Sequence, residues 1–172
     1  MNERDTIASE ASRSFRKHNW SVNVTRDAVR CPRCGTIIYP DAAAGCFDIR
    51  IGVPVWNQEN TAWYAVEVKY GKTAYSFSDF DDKKRKWAES HTGDYSMWIW
   101  LGMGVSIRDE KYPRATYLFP LDLFYRLETT LERKSIPYDC PELDKYKLQW
   151  LGGGTWAIHD LFLKSLVFAK TD

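Results

Sequence analysis

The chain has 172 residues, 44% of them hydrophobic and 27% charged, with a net charge of +1. Those proportions exclude a disordered or polyionic chain and fit one globular domain with a sizeable core. No apolar run approaches the ~20 residues that cross a bilayer. The opening MNERDTIASEASRSF holds no apolar signal core, so the expectation is a cytoplasmic, intracellular protein with no membrane partner. The four cysteines then read as thiols or metal ligands rather than disulfides.

In chain order, residues 5–18 predict a helix, with Ile7, Ala11 and Phe15 at four-residue spacing and Asp5 or Thr6 as cap. Glu10 sits beside that apolar stripe. Trp20 to Thr25 alternates as a strand. Residues 26–46 are irregular and long for a compact domain, so they should be braced or functional. Charge is uneven here: Arg13, Arg16, Lys17, Arg26, Arg30 and Arg33 face only Asp27. Within the loop, Cys31-Pro-Arg-Cys34-Gly has the spacing of half a zinc knuckle. Cys46 is the nearest third ligand, with His18 or Cys140 as the fourth; the alternative is a pair of reduced thiols.

Residues 48–56 alternate, with Ile49, Ile51, Val53 and Val55 on one face and Asp48, Arg50, Gly52 and Pro54 on the other. Residues 57–60 are turn chemistry, and 61–70 form the returning strand. That strand carries Val66-Glu67-Val68-Lys69, which puts a carboxylate and an ammonium on the face opposite the valines. A turn centred between Gln58 and Glu59 sets Asp48 against Lys69 and Arg50 against Glu67. Two carboxylates and a lysine converging in this way can hold a divalent cation beside a polarised water, which suits phosphodiester hydrolysis.

Thr73 to Phe77 predicts a short strand, and Ser78 a helix cap ahead of the basic run Lys83-Lys84-Arg85-Lys86, a candidate phosphate-facing surface. Residues 95–101 alternate as a strand in which Trp98 and Trp100 share a face. Burial beneath helices accounts for the pair more simply than base stacking. A strand over 114–119, a helix opened by Pro120 and running to about Lys134, a strand over 145–151, a break at Gly152-Gly153-Gly154 and a helix from Thr155 to Ala169 complete the pattern. His159 on that last helix reads as a satisfied histidine. Interleaved strands and helices give a mixed α/β class with one central sheet.

The order of helix, strand, Asp-led strand, strand ending Glu-x-Lys and basic helix resembles the PD-(D/E)xK nuclease superfamily, which includes restriction enzymes and Holliday-junction resolvases. Asp48, Glu67 and Lys69 match its motif, with Glu10 as counterpart of a first-helix acid. The literal Pro40-Asp41 pair makes Asp41 an alternative to Asp48. The resemblance covers roughly residues 5–100 and leaves 101–172 as an extension of a single 1–172 domain. It implies a restriction-endonuclease-like mixed sheet flanked by helices. It also implies Mg²⁺ or Mn²⁺ held by Asp48, Glu67 and the Val68 carbonyl, with Lys69 orienting the water. Lys83, Lys84 and Lys86 would meet the phosphates of DNA. Many members act as dimers, so a homodimer joins the expectations. The competing expectation is a catalytically inactive nuclease-like domain that binds nucleic acid or protein.

Overall fold

The computed structural model describes residues 3–24, 29–30, 33–35, 37–38, 47–54, 61–105 and 113–168. Cys31, Asp41 and Cys46 lie outside these. The elements are α1 (Glu3–Arg16), β1 (Ser21–Val24), β2 (Val29–Arg30), β3 (Ile37–Ile38), β4 (Ile49–Pro54), β5 (Thr61–Gly71), β6 (Ala74–Ser76) and α2 (Asp82–Ser90). They continue with β7 (Ser96–Met103), β8 (Ala115–Pro120), α3 (Leu121–Thr130), β9 (Ser135–Pro137), β10 (Gln149–Gly152), β11 (Thr155–Ala157) and α4 (Asp160–Phe168).

Five strands form the central sheet in the order β1-β4-β5-β7-β8. All neighbours run antiparallel except β5 and β7, which pair in parallel from Tyr64↔Ser96 to Gly71↔Met103. A parallel pair needs a crossover, and this one carries α2 over one face of the sheet. Both faces are covered. Ile49, Ile51, Val66, Val68, Trp98 and Trp100 pack against Ile7, Ala11 and Phe15 of α1 and Phe162 of α4. Ala65, Ile99, Leu101 and Phe119 pack on the other side with Phe47, Phe80, Phe124 and Leu127. Trp98 and Trp100 are therefore core residues: the Trp100 ring meets Phe15 edge-on at 5.4 Å and Trp98 meets Phe162 at 4.9 Å.

Local structure departs from the sequence pattern where tertiary contacts compete. Ser78 does not cap α2. Phe77 and Phe80 are both drawn into the core across a 3₁₀ turn, and Asp81 caps instead, accepting from the Lys83 N–H at 2.9 Å. Helix α3 stops at Thr130 because buried Ile136 pulls the chain into β9 beside β6, while Thr129 and Thr130 donate back to the Arg126 carbonyl. Gly152, Gly153 and Gly154, all at positive φ, turn a β10–β11 hairpin, so the last helix begins at Asp160 rather than Thr155. His159 is satisfied as expected. Its Nε2 donates to the Leu118 carbonyl, and its Nδ1 accepts from the Phe162 N–H at 3.1 Å.

Phe124 is fully buried, with its ring against Phe77 at 5.3 Å and Phe80 at 5.0 Å. Phe124→Ala should cost about 3–5 kcal/mol in urea denaturation. A loss below about 1 kcal/mol would mean that this face packs loosely.

Candidate active site

The β4–β5 ladder ends at the pair Ile49↔Val66. Continuing that register sets Asp48 level with Glu67, two residues from the expected partner Lys69. A two-residue slip leaves every side chain on its own face, so alternation alone could not separate the two registers. Where β4 stops, Asp48 takes over its role: its Oδ2 accepts from the Val68 N–H at 2.8 Å. The N–H and C=O of one strand residue leave on the same edge, so the Val68 carbonyl shares this edge with Asp48.

Glu67 points to the other face of the sheet from the valines, and that face is roofed rather than open. Its relative exposure is 0%. Oε1 accepts from Lys69 Nζ at 2.9 Å and from Lys84 Nζ, which reaches down from α2. Oε2 has no hydrogen-bond partner among the described residues. Burial pushes the Glu67 carboxyl up from its ordinary range and Asp48 adds to that, while Lys84 and Lys69 pull it back. The Lys69 ammonium also lies 5.7 Å above the Phe80 ring. Tyr75, on β6, completes the surroundings: its hydroxyl is buried without a partner among the described residues, and burial and the Glu67 charge raise its pKa.

Asp48, Glu67 and the Val68 carbonyl supply hard oxygen donors, the set that suits Mg²⁺ or Mn²⁺. A fully buried, unpartnered carboxylate oxygen is costly unless something completes it, so the residues present fit such an ion. The set is two carboxylates and one backbone oxygen. Among the described residues no three His, Cys, Asp or Glu side chains cluster around one point.

Other expected residues lie elsewhere. Glu10 belongs to the opposite side of the sheet, where its Oε1 accepts from the Trp156 indole N–H at 3.3 Å within the α1 core. The indole, 146 residues away in sequence, claims it. Lys84, expected to meet phosphate, is turned inward onto Glu67; Lys83 and Lys86 are exposed. Arg85 in the same run bolts α2 to α3 through Glu128 at 3.1 Å and stacks over Phe80 and Tyr125. Nothing among the described residues supports the zinc knuckle. Cys34 is exposed. Cys140 lies in the α2-side core as a thiol pushed up to about 11 by burial, whereas His18 stacks at 4.2 Å on Trp20, which packs on the other side. Cys31 and Cys46, like the alternative acid Asp41, are outside the described residues.

A cleft of about 740 Å³ opens at the other end of β5 and β7 between α2 and α3. Its charged lining is Glu89, Asp94 and Asp122, a surface that repels phosphate, and it does not include Glu67.

No family model matches the chain, and no curated protein matches it. Among solved structures it is similar to Hjc, a Holliday junction resolvase from the archaeal hyperthermophile Archaeoglobus fulgidus, at 18% identity and a TM-score of 0.44, over 81% of this chain and 90% of that one. No helix among the described residues is long and apolar enough to cross a membrane.

Burial pushes the Glu10 carboxyl up from 4.5 to about 7, against the pull of Trp156 and Arg13. The folded chain thus holds this proton more tightly than the unfolded chain. Its contribution to stability is full below about pH 4.5 and is lost as the pH rises through about 7. Glu10→Gln should flatten that fall and gain on the order of 3 kcal/mol at about pH 8. Urea denaturation of both chains at low and high pH checks this; equal pH profiles would overturn it.

Proposed function

We propose that this chain is a divalent-metal-dependent nuclease that hydrolyses DNA phosphodiester bonds at Asp48, Glu67 and Lys69. The observation that carries the reading is Glu67. A fully buried carboxylate with one unpartnered oxygen stands level with Asp48 and beside Lys69, at the point where the β4 ladder gives out. Asp48, Glu67 and the Val68 carbonyl would hold the cation. When bound, it supplies charge neutralisation at the phosphoryl group and lowers the pKa of a neighbouring water.

The protein's own groups do the rest. Lys69, with its ammonium fixed between Glu67 and the Phe80 ring, orients the attacking water and stabilises the developing negative charge. Asp48, clamped to the Val68 amide, keeps its carboxylate at the strand edge. Lys83 and Lys86 meet backbone phosphates, which positions DNA without reading its sequence. Glu10 stands outside this site because it lies on the other side of the sheet, with its Oε1 on the Trp156 indole.

A second reading, a catalytically inactive nuclease-like domain that binds nucleic acid or protein, draws on one observation. Glu67 already holds two ammonium partners, Lys69 and Lys84, with no cation added. Incubation with plasmid, branched and single-stranded DNA, with and without Mg²⁺ or Mn²⁺, separates the two. Cuts abolished by EDTA support the nuclease; binding without cuts supports the inactive domain.

Lys69→Ala should lower cleavage by about 10²–10³-fold, and Glu67→Ala should reduce it to background. Cleavage at the wild-type rate by either variant removes this site from the proposal. Lys83→Ala and Lys86→Ala should each weaken DNA binding across all sequences and reduce the slope of log affinity against log salt by about 1. Unchanged slopes in filter binding would place the phosphate contacts elsewhere.

A further inference from the structure

Lys84 has a part that neither the motif nor the basic run foresees. Its ammonium sits on the same Glu67 oxygen that Lys69 occupies, and its side chain is only 11% exposed. Two ammonium groups on one carboxylate oxygen are more than a buried acid needs for neutrality once one is in place. A divalent cation approaching Glu67 meets both of them, in a desolvated place where repulsion between like charges is strong. Departure of one ammonium relieves that repulsion and leaves the carboxylate to the ion.

Lys84 is the ammonium placed to depart. Both reach Glu67 on the same four-carbon stem, but the Lys69 ammonium is also held over the Phe80 ring, whereas Lys84 comes from the basic helix α2. Its sequence neighbour Lys83 and, one turn on, Lys86 are exposed on that same helix. The helix need not move: Asp81 caps it, Arg85 ties it to Glu128, and Trp87 packs at 5.0 Å on Phe47, the residue before Asp48.

We propose that Lys84 is a tethered counter-cation that occupies Glu67 while no substrate is present. It releases Glu67 to the divalent ion when a DNA phosphate takes its ammonium. Metal and DNA then bind cooperatively, each favouring the conformer in which Lys84 has swung away. The inference rests on the nuclease reading and assigns Lys84 as a positioning residue that acts through Glu67.

The test is Mn²⁺ titration by calorimetry, in parallel with electron paramagnetic resonance of free Mn²⁺. It compares wild type, Lys84→Met, Lys84→Arg and Lys164→Met, an exposed lysine on α4 at the far face. Without DNA, Lys84→Met should bind Mn²⁺ at least about fivefold more tightly than wild type. Lys84→Arg, which restores the charge, and Lys164→Met should stay within about twofold of wild type. Phosphorothioate DNA should tighten Mn²⁺ binding by wild type toward the Lys84→Met value and change Lys84→Met far less. Lys84→Gln, which keeps a donor without the charge, takes the place of Lys84→Met if the latter fails to fold.

Equal or weaker Mn²⁺ binding by the uncharged variants without DNA overturns the counter-cation role, as does an equal gain from DNA in wild type and variant. Glu67→Gln distinguishes this failure from that of the nuclease reading. If Glu67→Gln loses Mn²⁺ binding while Lys84→Met matches wild type, only the Lys84 inference falls. If Glu67→Gln binds as wild type does, the ion is not at Glu67 and both fall.

Discussion

A carboxylate with no exposed surface sits in the middle of a sheet, and the arrangement around it follows from the need to compensate it. Burying an ionised group without partners costs far more than one protein's margin of stability. Glu67 meets that demand with one ammonium from its own strand and one from the crossover helix. The second contact joins the Arg85–Glu128 pair and the Trp87–Phe47 packing in holding α2 over the sheet. Its basic run is divided by function: one lysine faces the acid, one arginine ties the helix to α3, and two lysines are left to solvent.

The two cores serve this centre differently. On the α1 side, large side chains such as Trp100 and Phe15 give a rigid backing to β5 and β7. On the α2 side, Phe80, Phe124 and Tyr75 wall off the acid, lower the local dielectric and strengthen each charge–charge contact. The same low dielectric makes an imbalance of charge expensive. The acid-lined cleft at the other end of the strands disfavours phosphate.

Much of the frame was legible in the chain. Strands β4, β5 and β7 follow directly from alternation, and Glu67 and Lys69 share a side because they are two apart. Asp48 could be assigned to the right edge but only to within a two-residue slip, since both registers bury the same isoleucines and valines. The inward turn of Lys84 was harder to see because it depends on where α2 starts, which is decided by the competition between Ser78 and Asp81 under the pull of Phe80. A signal was nevertheless there: Trp87 and Ala88 lie three and four residues after Lys84 on α2, which places the lysine on the inward stripe. The partner of Glu10 was not legible, since the β10–β11 hairpin that presents Trp156 was itself hidden by reading its second strand as helix. Nothing local announces a contact between residues at opposite ends of a chain.

The parallel pairing of β5 with β7 has a consequence for how the molecule comes into being. Glu67 lies on the strand that enters the crossover, Lys84 lies within the crossover, and β7 closes it. Until β7 docks, the acid has neither its roof nor its distant counter-charge. Closing such a loop is a slow, non-local step. A partly synthesised or half-folded chain therefore has the acids but no assembled centre, and any cutting ability would emerge in the same cooperative event that completes the sheet.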